Sequence, residues 1–243
     1  MPLLKDIPDV ELKNHLADCG VRLKAGPFTY CIKSREPILF DGLRQLYANF
    51  QTVPDESFAD YHIALRPESL LQKCRKKINF YFDDQRTFSN IDAVHAYAFL
   101  EWGMNWCIST TANEFLKLHA AVLSKNGIGL ILPGLPGAGK STLAAALCLS
   151  GWRVLSDEHA LILLRTASLV PLCRPISLKN ESIEIIRKFD ATAVLGPESV
   201  DTHKGTVSHM QADLAPDSHN PALIPARLMI FTRYSPGSQS VSY

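Results

Sequence analysis

The chain contains no run of about 18 apolar residues, so no transmembrane helix is expected. Its first residues, Met1 to Asp18, interleave Lys5, Asp6, Asp9 and Glu11 with the apolar positions and form no apolar h-region, which argues against a signal peptide. A surplus of either charge is also missing. With 25 Lys and Arg against 24 Asp and Glu, the net charge of +1 offers no electrostatic case for nucleic acid or an anionic membrane as partner. Cysteine pairs are missing as well: residues 19, 31, 74, 107, 148 and 173 are scattered and none forms C-x-x-C. Buried thiols are therefore expected in place of disulfides or zinc, and the cytoplasm as compartment.

At 243 residues, 47% hydrophobic and 20% charged, the chain is an ordinary globular sequence, long enough for one large domain or two modest ones. One stretch stands out. Gly134-Leu135-Pro136-Gly137-Ala138-Gly139-Lys140-Ser141-Thr142 fits the phosphate-binding pattern G-x-x-x-x-G-K-[ST] in full. The apolar strand Gly129 to Leu132 precedes it, and the helix formers Leu143 to Leu147 follow. A glycine-rich turn between strand and helix directs free backbone N–H groups and the positive end of the helix dipole at one point. Gly134, Gly137, Ala138, Gly139, Lys140, Ser141 and Thr142 are thus candidate contacts for a nucleoside triphosphate. Lys140, read as an exposed loop lysine, would reach its β- and γ-phosphates, and the Ser141 hydroxyl would sit on Mg²⁺.

Ahead of the loop, the pattern predicts a helix over Asp6–Leu16 and strands at Phe28–Ile32, Tyr61–Leu65 and Ile78–Phe82. A further helix is expected near residues 41–50. The basic cluster Lys73 to Lys77 reads as a solvated turn or helix end. Ser89 or Asn90 would cap a longer helix from Ile91 to about Thr111, whose aromatic stripe packs the N-terminal part against the nucleotide domain. The division is set at an N-terminal α+β region over 1–105 and a nucleotide domain over 106–243.

Leu116 to Leu123 reads as a strand, Asn126-Gly127 as a hairpin turn, and Ile128 to Leu132 as the return strand into the loop. His119 therefore lies next to the strand that delivers the loop. Gly151 is placed to end the loop helix. The strand Trp152 to Leu155 then delivers Asp157 and Glu158, soon after Lys140. An Asp at a strand end is where nucleotide folds place a Mg²⁺ contact, and a second acid can take a proton from an attacking hydroxyl. Beyond, His159–Leu164 continues as strand and Leu169–Leu172 pairs back on it. Arg174 and Lys179 bracket a Pro-Ile-Ser-Leu connector, as phosphate or acceptor ligands or as loop charges. Glu181 or Glu184 could add a metal contact from the helix Ser182–Phe189. Residues 197–210 read as loop, Gln211–Pro225 as a mobile surface loop and Leu228–Phe231 as a last buried strand.

His119, the loop Gly134–Thr142 and the acidic pair Asp157-Glu158 together resemble the catalytic domain of bacterial HPr serine kinase/phosphorylase, over about residues 115–165. In that family a histidine precedes the loop and an Asp-Asp pair comes after it at similar intervals. More narrowly, the chain resembles the HPr-kinase-related kinase A family from about residue 27 to 234. The segments Leu118–Val122, Gly151–Glu158, Arg174–Asn180 and Thr202–Met210 carry that likeness. The resemblance implies an α/β fold: a small α+β region, then a P-loop nucleotide domain like that of HPr kinase and phosphoenolpyruvate carboxykinase, with a mostly β core. It also implies Lys204 at the active-site rim. The second acid is Glu158, not Asp, and the glycine-rich segment tied to phosphorylase activity in HPr kinase is not found, so the reverse reaction is not implied.

The expectation is a Mg²⁺-dependent transfer of the γ-phosphoryl group of ATP to a hydroxyl, foremost a serine of a protein or peptide. Asp157 would act as base, Glu158 would assist at the metal, Lys140 would stabilise the transferring group, and His119 would orient the γ-phosphate or Asp157. A small-metabolite kinase and a nucleotide-gated interaction module are the alternatives. The sequence leaves a homo-oligomer open.

Overall fold

A computed structural model describes residues 1–212, 223–235 and 237. Those residues form a mixed α/β structure with three sheets. The first has the order β1-β2-β3-β4-β5, formed by Val21–Ala25, Phe28–Ser34, Tyr61–Arg66, Lys77–Phe82 and Gln85–Asp92. Its pairs are antiparallel except β2–β3, which run parallel. A parallel neighbour needs a crossover, and α2 (Pro37–Leu46) lies in that connection. The helices α1 (Asp9–Ala17), α3 (Leu70–Cys74) and α4 (Ala96–Thr111) complete this half.

Buried and part-buried positions alternate along β1, and the inward set joins helix side chains in one large cluster. Tyr30, Tyr47, Phe80, Tyr97 and Leu100 are fully buried there. Each such side chain contributes roughly 1.5–3 kcal/mol relative to an exposed one. All buried apolar residues of α4, from Ala96 to Ile108, belong to this cluster. The expected division at 105/106 falls inside α4.

Two expected helix starts are displaced. Ser89 and Asn90 do not cap a helix; they lie in β5, where Phe88 pairs with Phe80 and Ile91 with Ile78. Asn90 takes φ +63° and its amide donates to Asn79 Oδ1 at 3.0 Å. Pairing with β4 outweighs the local helical pattern, and α4 starts at Ala96. The helix expected at 41–50 begins earlier, with Pro37 in its first turn.

The second half starts with β6 (Phe115–Lys125) and β7 (Ile128–Pro133), joined through Asn126 and Gly127 at φ +52° and +75°. Two positive-φ residues match the twist of a tight hairpin. After the loop come α5 (Lys140–Leu149), β8 (Arg153–Ser156), β9 (His159–Leu163) and β10 (Ser168–Val170). Then come β11 (Ile176–Lys179), α6 (Glu181–Phe189), β12 (Ser199–Thr202), β13 (Gly205–Met210) and β14 (Ile224–Met229). The pairings β6–β7–β14–β10–β9 return to β6, closing a ring of five strands, and β8 extends the ladder on β6.

Strand alternation splits this half between two small cores. Ala120, Val122 and Ile131 join Leu155, Ala160 and Leu169 in one. Ala121, Leu123, Leu130 and Leu132 face the other way, against Ala144, Ala145 and Cys148 of α5. The third sheet, ordered β11-β13-β12, adds Ile176, Leu178 and Met210 to that second core.

The expected connector at 175–178 is therefore largely strand β11, and the expected loop at 197–210 is mostly the hairpin β12–β13. Leu228 to Phe231 is exposed, with the last strand over Ile224–Met229. Of the expected surface loop Gln211–Pro225, residues 213–222 lie outside the described residues. Among the described residues no helix is long and apolar enough to cross a membrane, and no disulfide is formed.

Candidate functional site

The loop between β7 and α5 is shaped by its glycines. Gly137 and Gly139 take φ +81° and +83°, and Gly139 is the N-cap of α5. A side chain at either would cost about 1–2 kcal/mol in that region. The Ala138 amide donates to Leu135 O at 3.1 Å, which tightens the turn. Amides in the first turn of α5 have no intrahelical acceptor and stand at the positive end of the dipole. Ser141 and Thr142 are half-buried in that turn. Lys140, expected to be exposed, is buried at 7% exposure. Its Nζ donates to Gly134 O at 2.8 Å and Leu135 O at 3.2 Å. The ammonium thus holds the loop's own carbonyls, neutral acceptors that phosphate oxygens can replace with a stronger, charge-assisted bond.

Asp157 and Glu158 interrupt one long antiparallel ladder. Val122 pairs with Ser156 on one side of them and His119 with His159 on the other. Asp157 is 7% exposed. Its Oδ2 accepts from the Ser177 amide at 2.9 Å, while Oδ1 has no partner among the described residues. Burial and then the Glu158 charge raise its pKa to about 6, against the Ser177 amide, the Ser141 hydroxyl and Lys179. The Ser141 hydroxyl is thus one of the groups that favour the ionised carboxylate, although no hydrogen bond closes on Oδ1. A serine hydroxyl, an unbonded carboxylate oxygen and the half-buried Glu158 form a set of hard oxygen donors. That chemistry suits Mg²⁺.

In front of Asp157 lies a cavity of about 800 Å³, open solvent included. Alternation explains its floor. On β11, Ile176 and Leu178 point into the core, so Ser177 and Lys179 face the cavity. On β13, Val207 and His209 face it in register with them. Helix α4 forms the opposite wall through Phe99, Glu101, Trp102 and Asn105. Lys204 stands at the rim, in the turn that connects β12 to β13. That turn is fixed by Asn180, whose Oδ1 accepts from the Thr206 amide at 3.0 Å and whose Nδ2 donates to Lys204 O at 3.3 Å. Only glycine fits at 205, with φ +80° and a Cβ position 2.1 Å from Asn180 Oδ1.

Arg174 crosses from the second half to the first. It is buried, pairs with Glu101 at 3.7 Å and donates to Asn105 Oδ1. Glu101 in turn accepts from Tyr47 at 2.7 Å and Tyr97 at 2.8 Å. A buried ion pair is sustainable only with such extra bonds. His209 is buried against Tyr97, and desolvation holds its pKa low. Desolvation and then Lys179 also lower Lys204, against Glu158.

No family model, curated protein or solved structure matches the chain. The site stands on its own geometry.

Of the residues singled out in the sequence, Asp157, Glu158, Arg174, Lys179 and Lys204 converge on the cavity. Ser141 and the rest of the loop, Gly134–Thr142, do not line it. His119 does not line it. It is exposed, lies across the ladder from His159 on the face that also carries Ala121 and Leu123, and makes no side-chain hydrogen bond among the described residues. Glu184 pairs with Arg187 at 2.5 Å, and Glu181 does not line the cavity. Sequence reading missed His95, Glu101, Asn105 and His209. One signal was available: Glu101 is the sole acid in the apolar sequence of α4.

Proposed function

We propose that the chain is a Mg²⁺-dependent kinase that transfers the γ-phosphoryl group of ATP to a hydroxyl. One observation supports this above the others: a loop that fits the phosphate-binding pattern in full is followed by the buried Asp157, which keeps one carboxylate oxygen without a partner among the described residues. Loop amides and Lys140 would bind the phosphates and stabilise charge on the transferring group. Ser141 and Glu158 would hold Mg²⁺, with the free oxygen of Asp157 in reach. When bound, the ion supplies charge neutralisation at the β- and γ-phosphates.

Asp157 serves as the base. Its raised pKa brings it nearer the working pH, where a general base is most effective. As the acceptor oxygen bonds to the γ-phosphorus, the bond from that phosphorus to the β,γ-bridging oxygen breaks. ADP leaves with the electron pair, and the hydroxyl proton goes to the Asp157 carboxylate. Kinship with the HPr-kinase-related family and a cytoplasmic location form part of the same proposal, supported by the β-rich second half and the absence of disulfides among the described residues.

The test uses purified protein, γ-labelled ATP and a lysate separated into macromolecular and small-molecule fractions. Label should enter one fraction, and Lys140→Ala should abolish it while circular dichroism shows the fold intact. Label transfer that persists in Lys140→Ala would remove the phosphate-loop assignment. Tight Mg·ATP binding with no transfer to either fraction would mark a nucleotide-gated interaction module instead.

A further inference from the structure

Buried polar atoms without partners are rare, because each costs about 1–3 kcal/mol. Of the eight such atoms among the described residues, four belong to residues around one cavity. His95 Nδ1, Asp157 Oδ1, Arg174 Nε and His209 Nδ1 have no partner among the described residues, and all four residues line the cavity. Arg174, Asp157 and His209 are 6%, 7% and 4% exposed, so bulk water does not serve them freely. The side chains of Lys179 and Lys204 also line the cavity, and neither has a hydrogen-bond or ion-pair partner among the described residues.

We propose that this cavity is the acceptor subsite, and that its acceptor is a small alcohol bearing a phosphate or carboxylate rather than a serine on a folded protein. The inference rests on the kinase reading above. Lys179 and Lys204 line the same cavity as Asp157 and Glu158. A divalent ion held by the acidic pair would offset the charge of those carboxylates. Two ammonium groups, beside a guanidinium already matched by Glu101, are then left to attract an oxyanion. Lys140 belongs to the phosphate loop, whereas Lys179 and Lys204 come from β11 and the β12–β13 turn and do not.

Shape argues the same way. The floor is the three-stranded sheet and the far wall is α4, with Phe99 and Trp102 packed edge to face at 5.6 Å. A molecule whose anionic end meets Lys179 and Lys204 can present its hydroxyl to Asp157 within these walls. A serine side chain carries no anion, so it would leave Lys179 and Lys204 without the charge-assisted bonds that an oxyanion supplies. Transfer keeps the balance given above: the acceptor oxygen gains phosphorus, ADP departs, and the proton passes to Asp157.

The experiment titrates inorganic phosphate into the protein saturated with Mg·ADP, by calorimetry, for wild type and the Lys179→Ala/Lys204→Ala double variant. Phosphate should bind the wild-type Mg·ADP complex, and the double variant should weaken it by about tenfold or more. ADP affinity should stay within about twofold, since neither lysine belongs to the loop. An unchanged phosphate affinity overturns the proposal. A parallel loss of ADP affinity also overturns it, because the lysines then hold the nucleotide. In the labelled lysate the small-molecule fraction should lose its label in the double variant. Undiminished labelling of a protein by that variant would remove this acceptor class and leave the kinase reading standing. Failure of wild type to bind Mg·ADP would instead remove the kinase reading, and the acceptor assignment with it.

Discussion

In the N-terminal half, buried polar side chains are mostly tied to other protein groups. Asn79 accepts from the Asn90 amide and contacts Gln72, Glu68 and Tyr81, and Ser34 donates to Leu65 O. The Tyr30 hydroxyl and His95 Nδ1 are exceptions, without a partner among the described residues. The loop-bearing half has smaller, divided cores and leaves Asp157, Arg174 and His209 each short of a bond. The first half is thus built as a scaffold, with α4 as its outer face. The second spends stability on groups that ligands can satisfy. They meet where α4 closes the cavity, so the site belongs to neither half alone.

The largest expected effect separates chemistry from stability. Asp157→Asn should lower phosphoryl transfer by about 10²–10⁴-fold, the usual worth of a positioned base, while Mg·ATP still binds. Stability should move the other way. The carboxyl has a pKa of about 6 in the folded chain against 3.8 as its ordinary value, so the folded state binds the proton more readily. Its ionisation therefore destabilises the fold as pH rises through that window. In chelator, Asp157→Asn should be more stable than wild type above pH about 6, and the gain should vanish below pH about 4. Urea melts across that range check it, and a variant less stable at pH 8 would erase the contrast between the halves. Glu158→Gln should mainly raise the Mg²⁺ requirement. If high Mg²⁺ rescues Asp157→Asn and not Glu158→Gln, the two roles are exchanged.

Next in size is the link between the halves. Arg174→Ala strands the Glu101 carboxylate in a buried site and should cost about 3–5 kcal/mol by urea denaturation. Arg174→Met with Glu101→Gln removes both charges and should recover most of that loss. If Arg174→Ala costs under about 1 kcal/mol, the range of an exposed pair, then the two halves are not held together by this contact.

How much is legible in the sequence depends on locality. The glycine-rich turn at Gly134–Gly139 and the Asn126-Gly127 turn declare themselves because each needs particular residues within a few positions. The acidic pair is legible for the same reason, since one strand delivers both residues. The cavity is not local. Its floor comes from the four-residue β11 and from β13, too short or too mixed in pattern to look like strands. Its wall comes from α4, whose start is hidden because β5 carries Ser89 and Asn90 as a strand. The exposed run Leu228 to Phe231 shows the opposite error, since apolar composition alone does not bury a segment.

A smaller effect tests how the turn serves the cavity. Gly205→Ala must accept φ +80° and meet Asn180 Oδ1, which should cost roughly 1–2 kcal/mol from the backbone alone. The change should shift the Lys204 turn and weaken phosphate binding to the Mg·ADP form, with the scaffold half unaffected. Wild-type phosphate affinity in this variant would show that the turn's geometry does not matter to the subsite.

The smallest expected effect asks whether the two halves open together. Burial pushes the Cys107 thiol up to about 12 and the Cys173 thiol up to about 11. At pH 8 each is therefore almost wholly protonated, and iodoacetamide should label the exposed Cys74 far faster, by about 10²-fold or more. Cys107 lies within the large N-terminal core, whereas Cys173 sits between β10 and β11, where its Sγ donates to Val154 O at 3.3 Å. Labelling of either needs an opening event that exposes it. Cys173 lies outside that core, so in rising urea it should become reactive before Cys107. Mass spectrometry of each peptide gives the two midpoints. Coincident midpoints would mean that the Arg174–Glu101 link makes one cooperative unit of the chain, and that the polar cavity is held as firmly as the scaffold behind it.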